Sequence, residues 1–198
     1  MIPLALDPKF CRVAVAGNGD LALRRLRTLR RAGAAQAQLF ADDPIPALAA
    51  EAGAVLRPYL PTAADLAPLH ALWIVDLPDV TAETIATAAR AQKILVNVED
   101  RPAFCDFHSV AELRRGDLLL TISTNGAAPG LAGTIRRGLE RCFGPEWDGR
   151  VAELASLRAG WREQGVKMPE AARRIEDIVA AGCWLNCPKP AQTQAAPN

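Results

Sequence analysis

The chain has 198 residues, enough for one well-developed core and a smaller appendage. Half of the residues are apolar and 23% are charged, ordinary proportions for a globular protein. The 23 basic and 22 acidic residues nearly cancel, so bulk charge offers no pull toward nucleic acid or a membrane surface.

In chain order, the opening MIPLALDPKFCRVAVAG has no basic segment followed by a long apolar run. It does not read as a signal peptide, and a cytoplasmic protein is expected. No stretch reaches the roughly 18 apolar residues of a spanning helix. Arg12 to Ala16 is a short β-branched apolar run, read as a strand. It breaks at Gly17-Asn18-Gly19, and Asp20 opens a helix to about Ala32, with Ala22, Leu26 and Leu29 at helical spacing. Strands are expected at Ala37–Ala41, Ala54–Arg57, Leu72–Val75 and Ile94–Val98. Helices are expected at Pro44–Ala52 and at Thr81–Ala91, the latter capped by Thr81. Short apolar strands without alternation, each followed by a helix, predict a parallel sheet covered on both faces. Right-handed crossovers make it a Rossmann-like, doubly wound α/β sheet.

The pattern changes after residue 113. Leu118–Ile122 reads as a strand, 123–130 as a loop and Leu131–Cys142 as a helix. From Asp148 the chain is helical, interrupted near Gly165 and Pro169 and resuming to about Ala181. The expected organisation is a Rossmann-like domain at 1–113, a small α+β module at 114–147, a C-terminal helical segment at 148–187 and a disordered tail at 188–198. Five cysteines, an odd number, argue against a disulfide framework. Cys183 and Cys187 form the one tight pair, but tetrahedral zinc needs two more ligands. His70 and His108 stand far off in sequence, so no metal site is expected.

Four stretches carry chemistry. Gly17-Asn18-Gly19-Asp20-Leu21-Ala22 fits G-x-G-x-x-A between strand and helix, where glycines let the backbone approach a pyrophosphate and the helix opening supplies free amides. A ribose-binding acid belongs at the end of the second strand, and Asp42 stands there ahead of Asp43; an acid favours NAD over NADP by repelling a 2′-phosphate. Asn97-Val98-Glu99-Asp100 lies at the carboxyl end of a central strand, where ligands bind in open α/β sheets and a carboxylate can serve as general base. The loop Ser123-Thr124-Asn125-Gly126 is rich in hydroxyls and small residues, and Arg136, Arg137 and Arg141 follow on the next helix, suited to carboxylates.

These pieces, in this order over residues 12–141, resemble the siroheme synthase family in its precorrin-2 dehydrogenase/sirohydrochlorin ferrochelatase branch. VAVAGNGDLALRRLRTLRRAGA looks like the family's nucleotide loop and first helix, NVEDRPAFCDF like its central hallmark, and RRGDLLLTISTNGAAPGLAGTIRRGLE like its substrate loop and dimerisation helix. The resemblance implies NAD-dependent oxidation of precorrin-2 to sirohydrochlorin. Its essential aspartate falls on Asp100, and its substrate-loop hydroxyls on Ser123 and Thr124. Asn125, Gly126 and Arg136 join them as expected substrate contacts. Asp76, Leu77 and Val98 join the glycine turn on the cofactor side, and a homodimer is implied. Metal chelation by the same aspartate, or tetrapyrrole binding without turnover, are the alternatives. The chain departs from the family where members usually have Thr-Asp: it reads Asp76-Leu77-Pro78-Asp79. It departs again where His108-Ser109-Val110 and Asn125-Gly126-Ala127-Ala128 stand in place of the usual residues.

Overall fold

The computed structural model describes residues 2–187, and the tail expected at 188–198 lies outside them. The chain divides into two compact units between Ser109 and Val110.

The first unit is a five-stranded parallel sheet: β1 (Val13–Ala16), β2 (Gln38–Phe40), β3 (Leu56–Arg57), β4 (Ala71–Ile74) and β5 (Leu95–Val98). The strand order is β3-β2-β1-β4-β5, so the order reverses between β1 and β4. That reversal opens a crevice at the carboxyl edge, the usual ligand position of this topology. Helices α1 (Asp20–Arg31) and α2 (Pro46–Ala52) cover one face; α3 (Ala63–Leu66) and α4 (Asp79–Ala91) cover the other.

Alternation within β1 shows why the strands read as continuous apolar runs. Val13 and Val15 pack with Leu23, Leu26 and Leu39 on the α1 side. Ala14 and Ala16 pack with Phe40, Ile85 and Ala86 on the α4 side. Both faces of β1 are dry, so each of its four positions is apolar. Phe40, Leu26, Leu72 and Ile74 are essentially inaccessible to solvent, and each such side chain contributes about 1.5–3 kcal/mol of burial.

Several sequence expectations change in detail. α4 begins at Asp79 with Pro78 at the N-cap, so Thr81 is a helical residue and not the cap. Proline in front of the first turn presets the extended entry, and no side chain bonds the first turn. The strand expected at Ala54–Arg57 is a 3-10 turn, Gly53–Val55, followed by two strand residues. Helix α3 was not anticipated; its start is a capping box in which Thr62 and Asp65 bond each other's backbone amides. His70 is structural: its Nδ1 accepts from the Arg12 amide at 3.1 Å, fixing the start of β1.

The second unit contains an antiparallel hairpin, β6 (Ala111–Arg115) and β7 (Leu118–Ile122), with Leu113 opposite Leu120. Three helices follow: α5 (Pro129–Cys142), α6 (Trp147–Glu163) and α7 (Met168–Ala181). Strand β6 was not expected, and the boundary read at 113/114 falls inside it. Trp147 and Trp184 meet edge to face, and Arg150 lies beside the pair, 5.2 and 5.0 Å from their centroids. Cys142 and Cys187 form a disulfide that ties the end of α5 to the chain after α7. An odd cysteine count argues against a full framework but does not exclude one bond. Cys183, the other half of the tight pair, is a free, exposed thiol.

Candidate active site

The glycine turn owes its residues to close approach. A Cβ on Gly17 would lie 2.0 Å from the Val75 carbonyl oxygen, so only glycine lets β1 turn beside β4. Asn18 ties the turn to the loop after β2. Its Nδ2 donates to Asp42 Oδ1 at 2.9 Å, and its Oδ1 accepts from the Asp43 amide at 3.2 Å. Asp42 thus stands beside the glycine turn at the end of β2.

Beyond Gly19, the amides of Asp20 and Leu21 donate to no protein acceptor among the described residues. The Ala22 amide donates to Asp76 Oδ2 at 3.0 Å. Free amides at the opening of a twelve-residue helix, behind a turn of glycines, fit the diphosphate of a dinucleotide.

Next to this turn a cleft of about 370 Å³ is lined by Ile74, Val75, Asp76, Leu77, Val98 and Asp100, with Asp79, Ala82, Glu99 and Arg101 completing it. Asp76 and Asp100 follow β4 and β5, and both have left-handed backbone, φ 52° and 58°. Aspartate tolerates that conformation better than most residues, at a cost that recurs at functional sites. Around the cleft most charges are already engaged. Arg25 of α1 donates to Glu99 at 2.9 Å, and Arg101 pairs with Asp79 at 3.2 Å. Among the described residues Asp100 has neither an ion pair nor a hydrogen-bond partner.

The segment after β5 explains how Asp100 is held. Cys105 Sγ donates to the Val98 carbonyl at 3.1 Å and also reaches the Arg101 carbonyl at 3.3 Å, clasping the turn from behind. Burial pushes the Cys105 thiol's pKa up, against a weaker opposing effect of its bond to Val98. Asp106 Oδ2 accepts from the Val96 amide at 3.0 Å, and its Oδ1 accepts from Arg90 at 2.9 Å. Asn97 Nδ2 donates to the Phe107 carbonyl at 2.9 Å. Asn97, Cys105 and Asp106 therefore cover the edge of β5 and brace the turn that carries Asp100.

Sequence reading missed this bracing, and for Arg25, noted only as a family-typical basic residue, it missed the pairing with Glu99; its guanidinium sits 6.0 Å from the Trp73 ring centroid, with Nε buried and without a partner among the described residues. That pairing spans 74 residues. His108 is exposed.

A family model described as NAD(P)-binding, NAD_binding_7, matches residues 4–111. The chain belongs to this NAD(P)-binding family. Its match spans the first unit and takes in the glycine turn, Asp42, Asp76 and Asp100.

The chain is also a homologue of siroheme synthases. It is 32% identical to the siroheme synthase of Methylococcus capsulatus over 186 residues, 91% of this chain and 38% of that protein. It is 37% identical to that of Pseudomonas putida over 160 residues, 78% of this chain and 34% of that protein. With siroheme synthase 1 of Halorhodospira halophila it shares 36% over 183 residues. The chain thus spans well under half the length of these curated relatives. A solved chain titled SirC, precorrin-2 dehydrogenase, shares the fold with a TM-score of 0.75 at 22% identity, covering 94% of this chain and 93% of its own.

The remaining expected site residues lie in the second unit. Ser123 Oγ accepts from the Asn125 amide, and Thr124 Oγ1 from the Ala128 amide, both at 3.2 Å. Asn125 and Gly126 take left-handed backbone, φ 54° and 78°, so the loop turns sharply into α5. Arg136 is paired with Glu140 one turn along α5.

Proposed function

We propose that the chain is an NAD-dependent dehydrogenase that oxidises precorrin-2 to sirohydrochlorin. Supporting this are its NAD(P)-binding family, its likeness to siroheme synthases and one feature of the cleft: Asp100 is the lining carboxylate that has no partner among the described residues. The glycine turn with the amides of Asp20 and Leu21 would hold the diphosphate. Asp42 would hold the adenosine ribose, and its charge opposes a 2′-phosphate, favouring NAD over NADP. Leu77 and Val98 offer apolar wall beside the reacting end. When bound, NAD supplies the hydride acceptor.

Removing a hydride from the tetrapyrrole must be matched by loss of a proton, and Asp100 takes that proton on its carboxylate. Arg25 neutralises neighbouring Glu99, so the two adjacent carboxylates do not repel as a pair of free charges. Cys105 and Asp106 keep the turn from swinging away. In the second unit, Ser123, Thr124, Asn125 and Gly126 form the substrate loop of this reading. Arg136 meets substrate carboxylates on exchanging Glu140 for them.

A homodimer is part of the proposal, formed through the second unit, whose α5 exposes Leu131 and Ile135. We place the protein in the cytoplasm. No helix among the described residues is long and apolar enough to cross a membrane.

The test is anaerobic incubation with precorrin-2. Conversion that requires NAD supports the dehydrogenase. Cobalt or iron insertion into sirohydrochlorin without NAD, and no oxidation, would replace it with a chelatase. Spectral binding without turnover would replace it with a carrier.

A further inference from the structure

Helix α1 opens without a cap of its own. Gly19 occupies the N-cap position and has no side chain to accept from the first turn. The missing acceptor comes from another strand's end. Asp76, beyond β4, sets Oδ2 3.0 Å from the Ala22 amide. Gly19 leaves it room, since a Cβ there would lie 2.7 Å from the same oxygen. The backbone of Asp76 adopts φ 52° in this position. A carboxylate at a helix opening satisfies an orphan amide and meets the positive end of the helix dipole.

On the dinucleotide reading, on which this inference rests, the diphosphate must come to the same helix opening. The surroundings do not compensate a second anion. Asp76, Asp79, Glu99 and Asp100 line the cleft. Among the described residues, Arg101 of the lining is paired with Asp79, and Arg25 is paired with Glu99. Among the described residues no cation pairs with Asp76.

We propose that Asp76 is a built-in competitor for the dinucleotide's diphosphate. It caps α1 when no nucleotide is bound, and its charge sets how weakly the chain holds anionic nucleotides. Asp76 is then an affinity-determining residue and takes no part in proton transfer. The relevant ligand class is any nucleotide with a diphosphate, whatever its base.

Asp76→Asn isolates the charge. Asparagine keeps an oxygen for the Ala22 amide and is among the residues most tolerant of positive φ. Titration calorimetry on the full chain with NAD, ADP and adenosine reads the outcome. The dissociation constants for NAD and ADP should fall about five- to tenfold in the variant, the scale of one charge at a helix terminus. Adenosine, which has no phosphate, should bind both proteins alike.

Unchanged or weaker NAD and ADP binding by a folded variant overturns the proposal. Equal tightening of adenosine also overturns it, because the effect would not lie at the diphosphate. Should Asp76→Asn fail to fold by circular dichroism, Asp76→Ser keeps a hydroxyl acceptor without charge and carries the same comparison. If neither protein binds NAD or ADP, the dinucleotide reading itself fails, an outcome separable from a failure of the competitor.

Discussion

The two units solve the problem of burial differently. In the first, β1 and β4 are buried throughout, and the core runs from Val13 through Val98 in two layers of apolar side chains. In the second, the buried apolar residues among those described are Leu113, Ala132, Trp147 and Ala171. Leu131, Ile135, Met168 and Leu185 stay exposed. The first unit can hold its shape by burial alone. In the second, contacts among Trp147, Trp184 and Arg150 supplement a small core, Cys142 and Cys187 can be joined by a disulfide, and the proposed second copy would cover its helices. The lesson is that the proposed nucleotide site is built on the unit with the larger apolar core, and the proposed substrate loop on the unit with the smaller one.

Substitutions can break this contrast. The largest effect belongs to the first core: Phe40→Ala should cost about 3–5 kcal/mol in urea unfolding. Ile135→Ala, on the exposed face of α5, should leave monomer stability within about 0.5 kcal/mol but weaken self-association in light scattering. A large stability loss at Ile135 would mean that α5 is already covered within one chain.

Next in size is the disulfide. Cys187→Ser should destabilise the second unit by about 2–4 kcal/mol and leave hydrogen exchange of β1 and β4 unchanged. In a reducing cytoplasm such bonds rarely persist. Rapid alkylation on lysis should therefore trap Cys142 and Cys187 as thiols, with the bond forming on exposure to air.

Gly17→Ala should cost about 1–3 kcal/mol by forcing β1 from Val75 and should abolish nucleotide binding. The smallest effect is at Cys105. Its raised thiol pKa means that the folded chain keeps this proton to higher pH than the unfolded chain does. The stabilisation is complete below the unfolded thiol's pKa and disappears as pH rises through the folded one. Iodoacetamide near pH 8 should label Cys183 long before Cys105; equal labelling would show that the turn behind Asp100 is open.

Legibility in the sequence follows the same division. β1 and β4 were readable because two-sided burial leaves unbroken apolar runs, and β5 because Ile94, Val96 and Val98 are buried. β6 was not, because Ala111-Glu112-Leu113-Arg114-Arg115 buries only Leu113 and satisfies its charges locally, with Arg114 on Glu112 at 3.2 Å. α3 is four residues long, and its one signal was Thr62 three positions before Asp65. At the site, the glycine turn was readable from spacing and Asp100 from resemblance. The links that shape the site were not: Asp76 to Ala22 spans 54 residues and Arg25 to Glu99 spans 74. Pairings at such distances leave no periodic trace.

The most direct measurement is single-turnover NADH formation on mixing precorrin-2 anaerobically with the NAD-loaded protein, wild type against Asp100→Asn, with NAD affinity measured on both. The account predicts NADH from the wild type and a loss of about 10²–10⁴-fold in rate for the variant at unchanged NAD affinity. Equal rates from the two proteins, or no NADH from a wild type that binds NAD, would contradict it.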